Sequence, residues 1–234
     1  MNDADPAAQE RWAAVERAVR DVTDHGIAGA VRTYYLVYLP AGLLLLAVVG
    51  GVLAARIFAL GPADWPEYIG AGLSLAAIGE FIGGMLYFRA RVSPLVRPRR
   101  RSPLALLTGP ERAQVRREIL GKEEPSGHRL PPLRGLATQL RPGLALQLLL
   151  APGYLLLCAN QMLLAISRWG QPGFLWVWIP LLLLFAGLVA SAAWQFRRTG
   201  DFLRRTAGST VPTSPDKEAP DAGLPGDGLP GSIR

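Results

Sequence analysis

Apolar residues divide the chain into four long hydrophobic segments separated by polar stretches. The segments cover residues 34–60, 67–89, 143–166 and 174–196. About 20 helical residues, at ~1.5 Å per residue, cross a hydrocarbon core of ~30 Å, so each segment is long enough to span a membrane. Tyrosine and tryptophan residues near the segment ends are typical of the membrane–water interface. The pattern predicts an all-α, polytopic integral membrane protein with four transmembrane helices.

The lengths of the connections predict how these spans pair. Residues 61–66 and 167–173 are short connections, which favour two antiparallel hairpins over residues 34–89 and 143–196. The central loop, residues 90–142, is long and carries most of the Lys and Arg residues near the spans. The positive-inside rule then places this loop and both termini in the cytoplasm. We therefore expect a multi-pass protein of the cell (plasma) membrane with an N-in, C-in topology.

Charged amphipathic helices are predicted in the cytoplasmic segments. In the N-terminal segment, residues 1–33, a helix is expected over residues 5–25, and Gly26 follows its end. Its narrow apolar stripe consists of Trp12, Val15, Val19 and Val22. In the central loop, a capping-box pattern at Thr108-Gly109-Pro110-Glu111 predicts a charged helix over residues 109–120. Packing of these helices on other protein segments is the simpler expectation, and binding to the membrane surface is the alternative.

Two polar segments outside the spans have no predicted fold of their own. A basic cluster follows the second span and consists of Arg97, Arg99, Arg100 and Arg101. Attraction to anionic lipid headgroups is its expected role, at ~1 kcal/mol per basic residue near the surface. Nucleic-acid binding is not expected, because no stacking aromatic residues are interleaved and no binding fold is visible. Residues 197–234 are rich in Pro, Gly, Ser and Asp, which predicts a disordered cytoplasmic tail.

Glu80 lies inside the second span, on a helical face of small residues. The predicted helix-packing face consists of Gly72, Ala76, Gly79, Gly83 and Gly84. Small residues at this spacing let helix backbones approach closely within lipid. A carboxylate at this depth costs roughly 2.5–3.5 kcal/mol on insertion scales, so it would be neutral or paired. We expect Glu80 in a helix contact, either as a proton- or ion-coupled site or as a structural hydrogen-bonding group.

Depth in the membrane restricts the partners of Glu80. Counted from the cytoplasmic ends of the spans, Glu80 lies ~14 Å deep and Asn160 ~25 Å deep, so they are not expected to pair. Tyr154 is nearer the level of Glu80, and its hydroxyl is the predicted donor to the carboxyl group; Ser74 is nearer the level of Asn160. The candidate intramembrane polar site consists of Glu80, Tyr154, Asn160 and Gln161.

The prolines of the spans suggest both local bending and an internal repeat. Pro40, Pro152 and Pro180 would bend spans one, three and four and free backbone carbonyl groups. Superposing Pro40 on Pro152 also aligns Arg56 with Arg168. This alignment is consistent with a duplicated hairpin, although leucine-rich spans also match by chance.

The remaining composition offers little for catalysis. The single cysteine, Cys158, excludes a CxxC redox pair, and neither His25 nor His128 has neighbours at metal-ligand spacing. A serine hydrolase would need a nucleophile with a nearby base, and the intramembrane serines have no histidine at their depth. We expect no cofactor, no metal site and no enzymatic activity.

Two functional classes remain. A non-catalytic scaffold, accessory or regulatory subunit needs only the small-residue helix faces and the charged cytoplasmic helices, and it is the first expectation. Its partners would be a bilayer with anionic headgroups and either further copies of the chain or another membrane subunit. The alternative is a small proton- or ion-coupled transporter or channel that uses Glu80.

Overall fold

A computed structural model describes residues 6–19, 22–58, 65–97, 103–125, 129–169 and 175–207. Four helices in these ranges are long and apolar enough to cross a membrane. Apart from one short β pairing, all of the regular structure in the described ranges is helical. The predicted all-α class and the four membrane-length helices are confirmed.

Six helices follow one another along the described chain. They are α1 (Pro6–Val19), α2 (Ile27–Phe58), α3 (Trp65–Leu95), α4 (Gly109–Ile119), α5 (Leu130–Trp169) and α6 (Leu175–Ala207). A short 3₁₀ turn, Pro103–Leu106, precedes α4. The backbones of β1 (Thr23–Asp24) and β2 (Val96–Arg97) pair antiparallel, with residue 23 opposite residue 97. This pairing joins the segment before α2 to the segment after α3.

Two π-helical turns interrupt α2 and α3 just before a proline. They cover Tyr34–Tyr38, ahead of Pro40, and Phe88–Val92, ahead of Pro94. A helical proline lacks an N–H group, and its ring clashes with the carbonyl group four residues earlier. For both prolines that carbonyl lies inside the π turn, where the wider turn relieves the clash.

The long helices contact one another in a fixed order. The extensive contacts of the described part join α2 to α3, α3 to α5, and α5 to α6. The α2–α3 backbones approach closely at Gly50 and Gly72, where a Cβ atom added to Gly50 would lie 2.9 Å from the Gly72 Cα atom. Small residues such as these two glycines let helix backbones approach this closely. The four long helices therefore pack in the order α2, α3, α5, α6, called here the helix row, and α2 and α6 are its outer members.

A hydrophobic core lies at the start of α5 and the end of α6, and this region is called here the outer lobe. It consists of α1, the 3₁₀ turn, α4, the first turns of α5 and the last turns of α6. Its buried side chains are Val15, Val19, Leu107, Val115, Ile119, Leu133, Leu136, Ala137 and Phe202. Trp12 and Val22 pack against them, so the apolar stripe predicted near the N-terminus packs on protein.

Several predicted boundaries differ from the structure. Helix α2 begins at Ile27, not at residue 34, and α1 ends at Val19, so Gly26 precedes α2 with φ +99° instead of closing the first helix. Residues 130–142 of the predicted loop form the start of α5, and Pro142 lies inside this helix. The helix predicted over residues 109–120 is confirmed as α4, with its capping box at Thr108.

The prediction of a disordered tail is wrong for residues 197–207, which continue α6 as far as Ala207. They stay helical because Phe202 is buried in the outer lobe. The hydroxyl groups of Thr199 and Thr206 bond carbonyl groups one turn earlier. Residues 208–234, and with them most of the predicted tail, lie outside the described residues.

Candidate functional site

Glu80 lies where α2, α3 and α5 meet. Its side chain is buried, with 4% of its surface exposed. The Tyr34 hydroxyl donates a hydrogen bond of 2.7 Å to Glu80 Oε2. On the other side, a Cβ atom added to Gly42 would lie 3.0 Å from Glu80 Oε1, so the carboxyl group packs closely against α2. Glu80 is thus enclosed in a helix contact, with a tyrosine as its donor.

Tyr34 connects this carboxyl group to a third helix. Its hydroxyl also lies 3.3 Å from the Leu149 carbonyl oxygen of α5, and its side chain is 2% exposed. One hydroxyl proton is therefore shared between the carboxyl of α3 and a main-chain acceptor of α5. Tyr87 adds a further link, because its hydroxyl donates to the Ala30 carbonyl of α2 at 2.8 Å.

Tyr35 uses a carbonyl group that a proline leaves free. Its hydroxyl donates to the Leu148 carbonyl oxygen at 2.7 Å. In a regular helix, the N–H of residue 152 would donate to this oxygen, but residue 152 is Pro152, which has none. The two consecutive tyrosines of α2 therefore bond the consecutive carbonyls of Leu148 and Leu149 on α5.

The small residues of α3 face two different neighbours. A methyl group on Gly72 would overlap the Ala47 carbonyl oxygen of α2, and one on Gly79 would overlap Leu46. The same change at Gly84 would bring the Cβ atom to 2.8 Å from the Leu149 carbonyl oxygen of α5. Ala76 is fully buried, whereas a Cβ atom on Gly83 would have no neighbour within 4 Å.

The hydrogen bond predicted between Tyr154 and Glu80 is wrong. Tyr154 is 40% exposed, and its ring packs edge-on against Phe81 at 4.7 Å and stacks on Phe185 at 5.2 Å. Tyr34 takes the predicted role, although the sequence pattern assigns it to the interfacial aromatic belt. The spacing of Ile27, Val31 and Tyr34 on one buried face is the signal that points to it.

Asn160 forms a separate polar contact. It is 1% exposed, and its Nδ2 donates to Ser74 Oγ at 2.8 Å, as their similar predicted depths suggested. Its Oδ1 has no hydrogen-bond partner among the described residues and faces Gly70. Gln161, the next residue, is half-buried. The four predicted polar residues therefore do not form one cluster.

The outer lobe has its own buried carboxylate, Glu111. Arg11 donates to it from Nη2 at 2.9 Å and from Nε at 3.3 Å. The backbone N–H and the hydroxyl of Thr108 donate to Glu111 Oε2 at 2.7 and 2.8 Å. The Arg11 guanidinium and the Thr108 donors lower the pKa of Glu111 to about 2, against the effect of burial, which raises it. This ion pair holds α1 on α4.

The two larger cavities near the outer lobe are not lined by Glu80. One, of about 860 Å³, lies between α4, α5 and α6. The other, of about 910 Å³, is lined by four arginines and one aspartate: Arg134, Arg141, Arg197, Arg204 and Asp201. Within the described ranges, no three His, Cys, Asp or Glu residues are grouped so as to hold a metal ion.

The predicted basic cluster is described only at Arg97. The backbone of Arg97 pairs in β2, while Arg99, Arg100 and Arg101 lie outside the described residues. No protein-family model, curated protein or solved structure matches this chain.

Proposed function

We propose that this chain is a non-catalytic integral membrane protein that acts as a scaffold, accessory or regulatory subunit. In this proposal the four long helices form two antiparallel hairpins in the cell membrane. Both termini, the central loop and the outer lobe lie in the cytoplasm. The Lys and Arg residues of the central loop support this orientation, because positively charged loops remain on the cytoplasmic side.

The observation that supports the proposal is that polar groups inside the long helices form hydrogen bonds between helices. Glu80 accepts from Tyr34, Asn160 donates to Ser74, and Tyr35 bonds the Leu148 carbonyl. Each of these bonds joins two different helices. Polar groups committed to interhelical bonds stabilise a fixed arrangement, as expected of a structural subunit.

The uneven burial of the row supports binding through its outer helices. In the most apolar 18-residue stretch of α3 and of α5, 33% of the residues are buried, whereas the corresponding stretches of α2 and α6 have 6% buried. Large apolar side chains such as Val48, Val52 and Leu184 therefore face outward. In the proposal these faces meet lipid, a second copy of the chain or another membrane subunit.

Coupled transport through Glu80 is the alternative function. The feature that favours it is a buried carboxyl beside a tyrosine hydroxyl and the carbonyls near Pro152, a combination that could bind a proton. Transport requires the carboxyl to exchange its proton with both sides of the membrane. A structural role requires only its hydrogen bond, so replacing Glu80 by Gln separates the two.

Purification of the full chain in mild detergent from its native membrane tests the proposal. The mass and composition of the intact complex should show a stoichiometric partner subunit or a defined homo-oligomer. Val48→Trp on the outer face of α2 should weaken a complex formed through that face, and Leu184→Trp should do so for α6. A monomer without partner at native expression, whose vesicles carry a proton flux, would contradict the subunit role.

A further inference from the structure

The cavity between α4, α5 and α6 has a charged end and an apolar end. Arg112 and Arg116 of α4 line it near the outer lobe. The opposite end is lined by Leu150 and Tyr154 of α5 and by Phe185 of α6. With a volume of about 860 Å³, it is large enough for an amphiphilic molecule.

The charged end carries two arginines with neutral partners. Arg116 donates from Nη2 to Gln195 Oε1 at 2.7 Å, and Gln195 in turn donates to Ser191 Oγ at 3.1 Å. Arg112 donates from Nε to the Leu107 carbonyl at 2.8 Å. No carboxylate among the described residues pairs with either arginine, so both charges are available to an anion.

Arg117, the next residue of α4, provides a contrast. It forms an ion pair of 2.7 Å with Glu123 and does not line the cavity. Two arginines directed to the cavity are therefore left without an acidic partner, while their neighbour has one. Guanidinium groups bind phosphate oxygens through paired, charge-assisted hydrogen bonds.

The cavity is about as long as one lipid leaflet is thick. From Gln195 to Phe185 is ten helical residues, or ~15 Å, which is about half of the ~30 Å hydrocarbon core. Leu188 and Tyr154, which line its apolar end, are 57% and 40% exposed. The cavity is thus open sideways, toward the position of the lipid chains.

We propose that this cavity binds one acidic phospholipid from the surrounding leaflet. The phosphate lies between Arg112 and Arg116, and an acyl chain runs along α5 and α6 past Leu188 toward Tyr154. The bound lipid joins the outer lobe to the membrane helices, because α4 supplies the charge while α5 and α6 supply the apolar wall. This site is distinct from the basic cluster after α3 and from the Glu80 contact.

Native mass spectrometry of the full chain in mild detergent tests the site with two probes of equal acyl chains, phosphatidylglycerol and phosphatidylcholine. A one-to-one phosphatidylglycerol complex is expected, with phosphatidylcholine bound at least fivefold more weakly, since each basic residue near the headgroup contributes about that factor. Arg116→Gln should lower phosphatidylglycerol affinity about fivefold, and Arg117→Gln should leave it unchanged. Arg116→Lys, which keeps the charge, should retain most of the preference and controls for loss of the Gln195 contact.

A second pair of variants tests the apolar end. Leu188→Trp narrows the cavity and should reduce binding of both lipids, whereas Leu183→Trp, at an exposed position of α6 that does not line the cavity, should not. Equal affinity for the two lipids, or equal losses in Arg116→Gln and Arg117→Gln, would overturn the phosphate site. Unchanged binding in Leu188→Trp would overturn the placement of the acyl chain.

Discussion

The Tyr34 hydroxyl donates a 2.7 Å hydrogen bond to the Glu80 carboxyl group, and both side chains are almost completely buried. The bond joins α2 to α3, and the same hydroxyl reaches the Leu149 carbonyl of α5. A buried polar group is tolerated within lipid when a neighbouring helix supplies its partner. The contact thus explains how a carboxyl group is accommodated in the second long helix.

Removing the Tyr34 hydroxyl should destabilise the helix row. Tyr34→Phe leaves Glu80 buried without its donor, and we expect a loss of about 1–2 kcal/mol in the free energy of unfolding. Tyr38→Phe is the matched control, because Tyr38 belongs to the same π turn and is 48% exposed. Denaturant unfolding of the purified protein in detergent measures both. Equal effects of the two substitutions would argue against the contact.

Pro152 and Tyr35 should be energetically coupled. In the wild type, Tyr35→Phe leaves the Leu148 carbonyl without its donor and should cost about 1 kcal/mol. Pro152→Ala restores an N–H group to that carbonyl, so in this background Tyr35→Phe should cost much less. A double-mutant cycle measured by unfolding gives the coupling energy. Pro180→Ala is the control background, in which the cost of Tyr35→Phe should be unchanged.

An added methyl group should destabilise the protein at Gly72 of α3 but not at Gly83. Gly72→Ala places a Cβ atom against the Ala47 carbonyl oxygen and should separate α2 from α3, at about 1–3 kcal/mol. Gly83→Ala adds its Cβ atom where there is no neighbour within 4 Å, so we expect no loss of stability. Thermal unfolding in detergent compares them. Similar midpoints for the two variants would contradict the close approach at Gly72.

The four membrane-length helices were predictable because length and apolar content decide which segments can span a bilayer. The continuation of these helices beyond the apolar segments was not predictable from length and apolar content. Leu133 and Phe202 lie in polar surroundings in the sequence, and they are helical because α1 and α4 cover them in the outer lobe. This burial depends on contacts between residues distant in the chain. Pro142 suggests a boundary by its residue type, yet the helix continues through it.

The partner of Glu80 was harder to predict than its burial. Counting residues gives the depth of a side chain along a helix but not the direction in which it points. Tyr154 lies at a suitable depth, but its ring packs against Phe81 and Phe185 and not against Glu80. Tyr34 is at the right level because α2 begins at Ile27, seven residues or ~10 Å earlier. Asn160 and Ser74 were placed at similar depths, and they bond because their side chains also lie on facing sides of α5 and α3.

The Arg11–Glu111 ion pair predicts a pH dependence of the outer lobe. The pKa of Glu111 is lowered from 4.5 to about 2, so the carboxylate stabilises the folded state fully above pH 4.5. This contribution, at most on the order of 3 kcal/mol, is lost progressively as the pH falls from about 4.5 to about 2. Thermal midpoints between pH 2 and pH 6 should therefore decrease toward acid.

Arg11→Gln should make this decrease shallower, because the largest cause of the low pKa of Glu111 is removed. Arg116→Gln removes an equal charge from α4 and should leave the slope unchanged, since the Arg116 Nη2 group donates to the neutral side chain of Gln195. A slope that is unaltered in Arg11→Gln would show that the acid sensitivity arises elsewhere.

Proton flux into vesicles that contain wild-type or Glu80→Gln protein tests the structural role of Glu80 most directly. Gln can accept the Tyr34 hydrogen bond through its side-chain oxygen, so the variant should assemble with the wild-type mass and stability. A structural Glu80 predicts that both proteins give the same flux as empty vesicles. A wild-type proton flux that disappears in an intact, correctly assembled Glu80→Gln protein would contradict this role and assign Glu80 to transport.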